Sequence, residues 1–177
     1  MTNTEKTFGK VTSKGAEEIL LTQIKQEFTT PADAISDYIE LIEKNITESS
    51  LNAEDELNQI KSGCKKLIDQ YEDAFIENTG PNAINEKRTP EEYSELRHNL
   101  RTPLNAIIGY SEILVEDLED DLSEQSLADL QSIINLSREI EKAIEKFVDY
   151  IRGEKFISTG DGKDQVESAE ALFKSLG

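Results

Sequence analysis

Tryptophan is absent from this chain, and cysteine and histidine occur once each. A single cysteine, Cys64, excludes an internal disulfide and fits a reducing compartment. Positive charge is scarce: 19 Lys and Arg stand against 37 Asp and Glu, a net charge of −18. Phosphate backbones and anionic membrane surfaces repel such a chain, so neither a nucleic-acid nor a membrane partner is expected. Long apolar runs are missing too; none approaches the ~20 residues of a membrane span. The opening "MTNTEKTFGK" lacks the apolar region of a signal peptide. These absences leave the expectation of a soluble, acidic, cytoplasmic protein.

Glycine and proline are also few, at nine and four in 177 residues. Lys, Glu, Leu, Ile and Ala dominate, and hydrophobic residues make up 36 % against 32 % charged. That balance is lean for a globular core but ordinary where each helix buries one stripe. The expected fold class is all-α.

The chain repeats itself. "TTPADAISDYIELI" (29–42) aligns with "RTPLNAIIGYSEIL" (101–114) at an offset of 72, with six identities in fourteen positions. The apolar seam repeats with it: Leu21, Ile24, Phe28, Ile35, Tyr38, Ile42 and Ile46 become Tyr93, Leu96, Leu100, Ile107, Tyr110, Leu114 and Leu118. Steps of three, four and seven mark a helix burying one face. A second helix follows each. Leu57, Ile60, Cys64, Leu67, Tyr71 and Ala74 keep the rhythm in the first copy, and Leu130, Ile133, Ser137, Ile140, Ile144, Phe147 and Ile151 in the second, at an offset of 73. Short polar loops near 48–52 and 119–123 make antiparallel neighbours of the helices they join.

The predicted organisation is a flexible N-terminal tail (1–14), a first helical hairpin (15–78), a linker (79–89), a second hairpin (90–152), and a flexible tail (153–177) with a short amphipathic helix at 166–176. "TPEE" at 89–92 reads as a capping box that starts the second hairpin. One hairpin leaves a full seam exposed. Two in tandem can close into an intramolecular, pseudo-dimeric four-helix bundle, which predicts a monomer. The alternative is that each hairpin dimerises with another chain.

The one histidine, His98, lies in "ELRHNLRTPLNAIIGYSEIL". Core positions Leu96 and Leu100 are each two residues away, about 200° around a helix of 3.6 residues per turn. The imidazole therefore points away from the seam. Arg97 and Arg101 flank it; they can steady phosphate oxygens or pair with acidic neighbours such as Glu95. Pro103 cannot donate to the carbonyl of Asn99, which loosens the backbone beside the histidine. A kink is expected there, with Gly109 letting a partner helix approach closely.

The run "HNLRTPLNAIIGYSEIL" resembles the phosphoacceptor box of sensor histidine kinases. That box lies on the first helix of their dimerisation and histidine-phosphotransfer domain, in the form H-[E/D]-x-[R/K]-[T/N]-P-L. His98, Leu100, Arg101, Thr102, Pro103 and Leu104 fit it; Asn99 does not. The resemblance spans roughly 90–151 and reaches 15–78 only through the repeat. It implies that His98 carries a phosphoryl group on a ring nitrogen. Imidazole suits this, since it titrates near pH ~6.5 and offers a neutral nitrogen at physiological pH.

Two departures limit what is implied. No segment has the length or glycine-rich motifs of the kinase ATP-binding domain. The carboxylate that follows the histidine in the family, thought to act as a base, is replaced by Asn99, which hydrogen-bonds the ring but accepts no proton usefully. Self-phosphorylation from ATP is not expected. At the matching place in the first copy stand Gln26 and Glu27, so that half keeps the acid and has lost the acceptor. The implied role is a histidine phosphotransfer protein of a two-component phosphorelay. Its partner is a response-regulator receiver domain, with a sensor kinase upstream. Docking is expected around Arg97, Arg101, Asn105, Ile108, Gly109 and Glu112, though Ile108 also suits the rim of the bundle. Thr102 matches a residue that helps position water for receiver dephosphorylation. No cofactor is expected in this chain; Mg²⁺ belongs to the receiver. The rival readings are a non-catalytic scaffold or signal-transmitting module, and a homodimeric sensor-kinase fragment phosphorylated in trans.

Overall fold

The computed structural model describes residues 2–46, 53–79 and 88–153, with side chains from residue 15 onward. Four helices follow one another: α1 (Thr2–Asn45), α2 (Glu54–Asn78), α3 (Pro90–Asp117) and α4 (Glu124–Arg152). Helical backbone thus begins at Thr2, through the segment where a flexible tail was expected. Its polar composition lacks the proline that would stop a helix growing backward from the packed part of α1. The expected tail helix, most of the linker and the first hairpin loop lie outside the described residues.

Within each hairpin α1 meets α2 and α3 meets α4. Between hairpins α1 packs along α4 and α2 along α3, at least as extensively. The equivalent helices α1 and α3 therefore face each other across the diagonal, as do α2 and α4. This is the intramolecular, pseudo-two-fold, all-α bundle that the duplicated seam called for.

The ends follow from local chemistry. The Thr89 hydroxyl accepts the amide of Glu92 at 3.2 Å, capping α3 with Pro90 at its first position. Ser123 caps α4 in the same way through the amide of Ser126, at 3.1 Å. The turn between α3 and α4 is tied by amides of Asp121 and Leu122 to the carbonyl of Leu118. At the other end the Tyr93 hydroxyl reaches the carbonyl of Ile151 at 3.4 Å, and the Arg152 guanidinium lies over the Tyr93 ring.

Phe28, Ile35, Ile42, Ile60, Leu67, Leu100, Leu104, Ile107, Leu130, Ile140 and Phe147 are all essentially inaccessible. Phe28 stacks on Tyr71 with ring centroids 3.6 Å apart, and Phe147 of the other hairpin closes on Tyr71 at 5.1 Å. The Tyr71 hydroxyl donates to the carbonyl of Ile24. One register differs from expectation. Ile39 and its counterpart Ser111 are the buried positions, whereas Tyr38 and Tyr110 are only half-buried. A tyrosine at the rim covers apolar surface with its ring while its hydroxyl reaches water.

Pro31 and Pro103 are both buried inside unbroken helices. The close helix approach beside Pro103 comes from Gly63 of α2, not Gly109. A Cβ on Gly63 would stand 3.1 Å from Ile107 Cγ1 and 3.2 Å from the Pro103 carbonyl oxygen; one on Gly109 would meet nothing within 4 Å. Gly109 faces outward, so its small size brings no helix of this chain nearer.

Candidate functional site

His98 is exposed on α3, one turn before the buried Pro103. Its ring does not stand on an open convex face. It borders a groove of about 430 Å³ between α3 and α2, shared on the α3 side with Asn99, Thr102, Pro103 and Ala106. The opposite wall is α2 of the first hairpin, with Gln59, Ser62, Gly63, Lys66 and Gln70. The groove exists because Gly63 lets α2 run close beneath Pro103 while the longer side chains around it stand up on either side.

Helical spacing sorts the remaining expected residues. Thr102 is one turn from His98, and its hydroxyl donates to the His98 carbonyl at 2.9 Å. Its lone pairs are left for an incoming group. Asn105 and Glu112 continue the exposed stripe, with half-exposed Gly109 between them. Asn99 borders the same groove, but among the described residues no hydrogen bond joins its amide to the ring. Adjacent helical residues are 100° apart and do not face each other, so the expected ring contact is not made. Ile108 is half-buried and packs against the core, the rim position that its place beside the seam suggests.

The two arginines turn away from the groove toward α4. Arg97 Nε lies 3.2 Å from Glu145, and Arg101 bonds the other Glu145 oxygen and sits 3.4 Å from Glu141. Their partners are thus carboxylates of α4, Glu141 and Glu145, rather than Glu95. Both guanidiniums are partly exposed, so the cluster contributes on the order of 1 kcal/mol to stability. It holds α3 against α4 beside the histidine. On the first hairpin Glu27, the acid kept in the degenerate box, is engaged by Lys146 at 2.8 Å and by the Gln23 amide. It does not border the His98 groove.

Sequence reasoning missed the α2 wall, Lys66 above all. A signal existed: at the offset of 73 that aligns α2 with α4, Lys66 matches Glu139 and Gly63 matches Leu136. Both differences fall beside His98.

Cys64 is buried next to Gly63, its sulfur 3.5 Å from the Ser36 hydroxyl. Burial pushes its thiol above the ordinary range, with the Ser36 contact acting the other way and Asp33 adding to the rise. It is a packing residue. Among the described residues no cluster of three or more His, Cys, Asp or Glu is arranged to hold a metal ion, and no helix is long and apolar enough to cross a membrane.

Residues 92–155 match the family model of the His Kinase A (phospho-acceptor) domain. No curated protein and no solved structure matches the chain. The matched segment begins just inside α3 and includes His98, the groove residues of α3 and all of α4.

Proposed function

We propose, from the premise that residues 92–155 are a His Kinase A phospho-acceptor domain of two-component signalling, that this protein is a phosphohistidine carrier. It exchanges a phosphoryl group between His98 and the aspartate of a response-regulator receiver domain. The observation that carries this reading is the lone imidazole, exposed at the mouth of a groove and inside the matched segment. In-line phosphoryl transfer needs open approach to the nucleophile, and an exposed ring at a groove mouth permits it.

The step balances simply. The lone pair of a neutral ring nitrogen forms the N–P bond, the aspartyl O–P bond breaks, and its electron pair leaves with the carboxylate. The other ring nitrogen keeps its proton. The reverse reaction loads the receiver. Mg²⁺ held by the receiver supplies charge neutralisation during transfer. A receiver seats on the exposed stripe of α3, where Asn105, Gly109 and Glu112 offer a narrow, low-relief surface. Arg97 and Arg101 contribute only to the extent that they leave Glu141 and Glu145. The Thr102 hydroxyl donates to the His98 carbonyl and keeps its lone pairs, which supports, as a secondary activity, receiver dephosphorylation by water that it would orient.

Incubation with radiolabelled, phosphorylated receivers tests the reading. Transfer of label to the wild type, and none to His98→Gln, is the expected result. Failure of every receiver to transfer label, or retention of label by His98→Gln, would leave the scaffold reading in its place. Sedimentation at micromolar concentration is expected to give a single-chain species of 19.9 kDa. A stable two-chain species would instead favour the homodimeric fragment.

A further inference from the structure

The groove beside His98 is built by both hairpins, and its composition is unlike that of the chain. Acidic residues number 37 in 177, yet none of the described ones borders the groove. Its polar members are amides, hydroxyls and one cation, Lys66. The other cations near the histidine are already engaged, since Arg97 and Arg101 are held by Glu141 and Glu145. Lys66 makes no ion pair among the described residues, and it is exposed.

Internal symmetry provides a control inside the same molecule. The positions matching His98, Asn99 and Lys66 around the pseudo-two-fold are Gln26, Glu27 and Glu139. Where the acceptor is lost, two carboxylates stand in the places of the amide and the lysine. A phosphoryl group carries close to two negative charges, so Glu139 disfavours it on that side, where Lys146 already matches the charge of Glu27. On the His98 side the same helix positions are free of acid and add a cation.

We infer that Lys66 of the first hairpin is a phosphate-binding residue of the His98 site, so the hairpin without an acceptor completes the site of the one that has it. The inference rests on the phosphoacceptor reading of His98 and adds a residue from outside the matched segment. The Lys66 ammonium contacts the oxygens of the transferred phosphoryl group. It exchanges no bond and keeps its proton throughout.

The test uses the full chain with two donors: a phosphorylated receiver, and phosphoramidate, which loads histidine without any protein partner. Lys66→Gln is expected to slow labelling about tenfold with both donors, the loss of one charge-assisted hydrogen bond. Lys66→Glu, which installs the residue of the opposite side, is expected to slow it further. Lys66→Arg keeps most of the rate, and Lys65→Glu, with the same charge change outside the groove, leaves it unchanged. Unaltered helical circular dichroism excludes unfolding as the cause. Equal labelling of wild type and Lys66→Glu by phosphoramidate overturns the inference. So does slowing with the receiver alone, which makes Lys66 a docking residue only. If receivers fail but phosphoramidate labels His98 in a Lys66-dependent way, the relay reading falls while the phosphate site stands.

Discussion

Gly63 and Gly109 lie inside helices, and replacing each by alanine is the same chemical change with opposite expected sign. Leaving glycine in a helix interior gains about 1 kcal/mol of backbone propensity in both cases. At Gly109 nothing stands within 4 Å of the new methyl, so the whole gain is expected as added stability. At Gly63 the methyl meets Ile107 Cγ1 at 3.1 Å and the Pro103 carbonyl at 3.2 Å, short of the about 3.5–4.0 Å at which carbon contacts are most favourable. Ile107 is fully buried and the carbonyl is backbone, so neither yields without moving α3. Overpacking of this kind costs about 1–3 kcal/mol, which cancels or exceeds the propensity gain. The two variants should therefore differ by about 1–3 kcal/mol, with Gly63→Ala the less stable. Urea unfolding followed by circular dichroism at constant m-value measures this directly. Equal stabilisation of both would refute the close approach of α2 to α3, and with it the groove built on that approach.

Three further outcomes follow from packing and charge. Burial, with the Glu27 charge adding to it, pushes the Tyr71 phenol well above the ordinary range. The fold holds the neutral form, so its contribution is complete below about pH 10, the unfolded phenol's value, and is lost as pH rises beyond that. Tyr71→Phe should flatten this alkaline loss, and an unchanged slope of stability against pH would contradict it. Phe28→Ala, at 1 % exposure and stacked on Tyr71, should cost about 3–5 kcal/mol in denaturant titrations, and a loss under about 1 kcal/mol would deny the shared aromatic core. Glu145→Gln frees Arg97 and Arg101 from their shared partner and should cost under about 1 kcal/mol, less in high salt; a larger, salt-insensitive loss would show that the cluster is structural.

The bundle was legible because its signal is periodic and doubled. Two seams at offsets of 72 and 73 specify four helices, and short loops specify their neighbours. The register slipped only at Tyr38 and Tyr110, where ring size outweighed position along the 3-4 rhythm. The site was legible on one wall only. His98, Asn99 and Thr102 share a helix, so spacing brings them together. Lys66 and Gly63 reach the groove through the packing of α2 on α3, which no local pattern encodes. The arginines were read as flanking the histidine along the chain, but each points sideways toward α4, to Glu141 and Glu145. Comparing the repeats with each other, rather than with a general pattern, exposes what sequence spacing hides: the positions where one half has changed sign.

Closing four helices inside one polypeptide changes what evolution can alter. In an assembly of identical subunits any mutation lands twice, so both faces must stay alike and both acceptors are kept or lost together. Here each face is written separately, so the one around Gln26 can differ from the one around His98. Because the halves are tethered at high local concentration, the arrangement holds at any dilution.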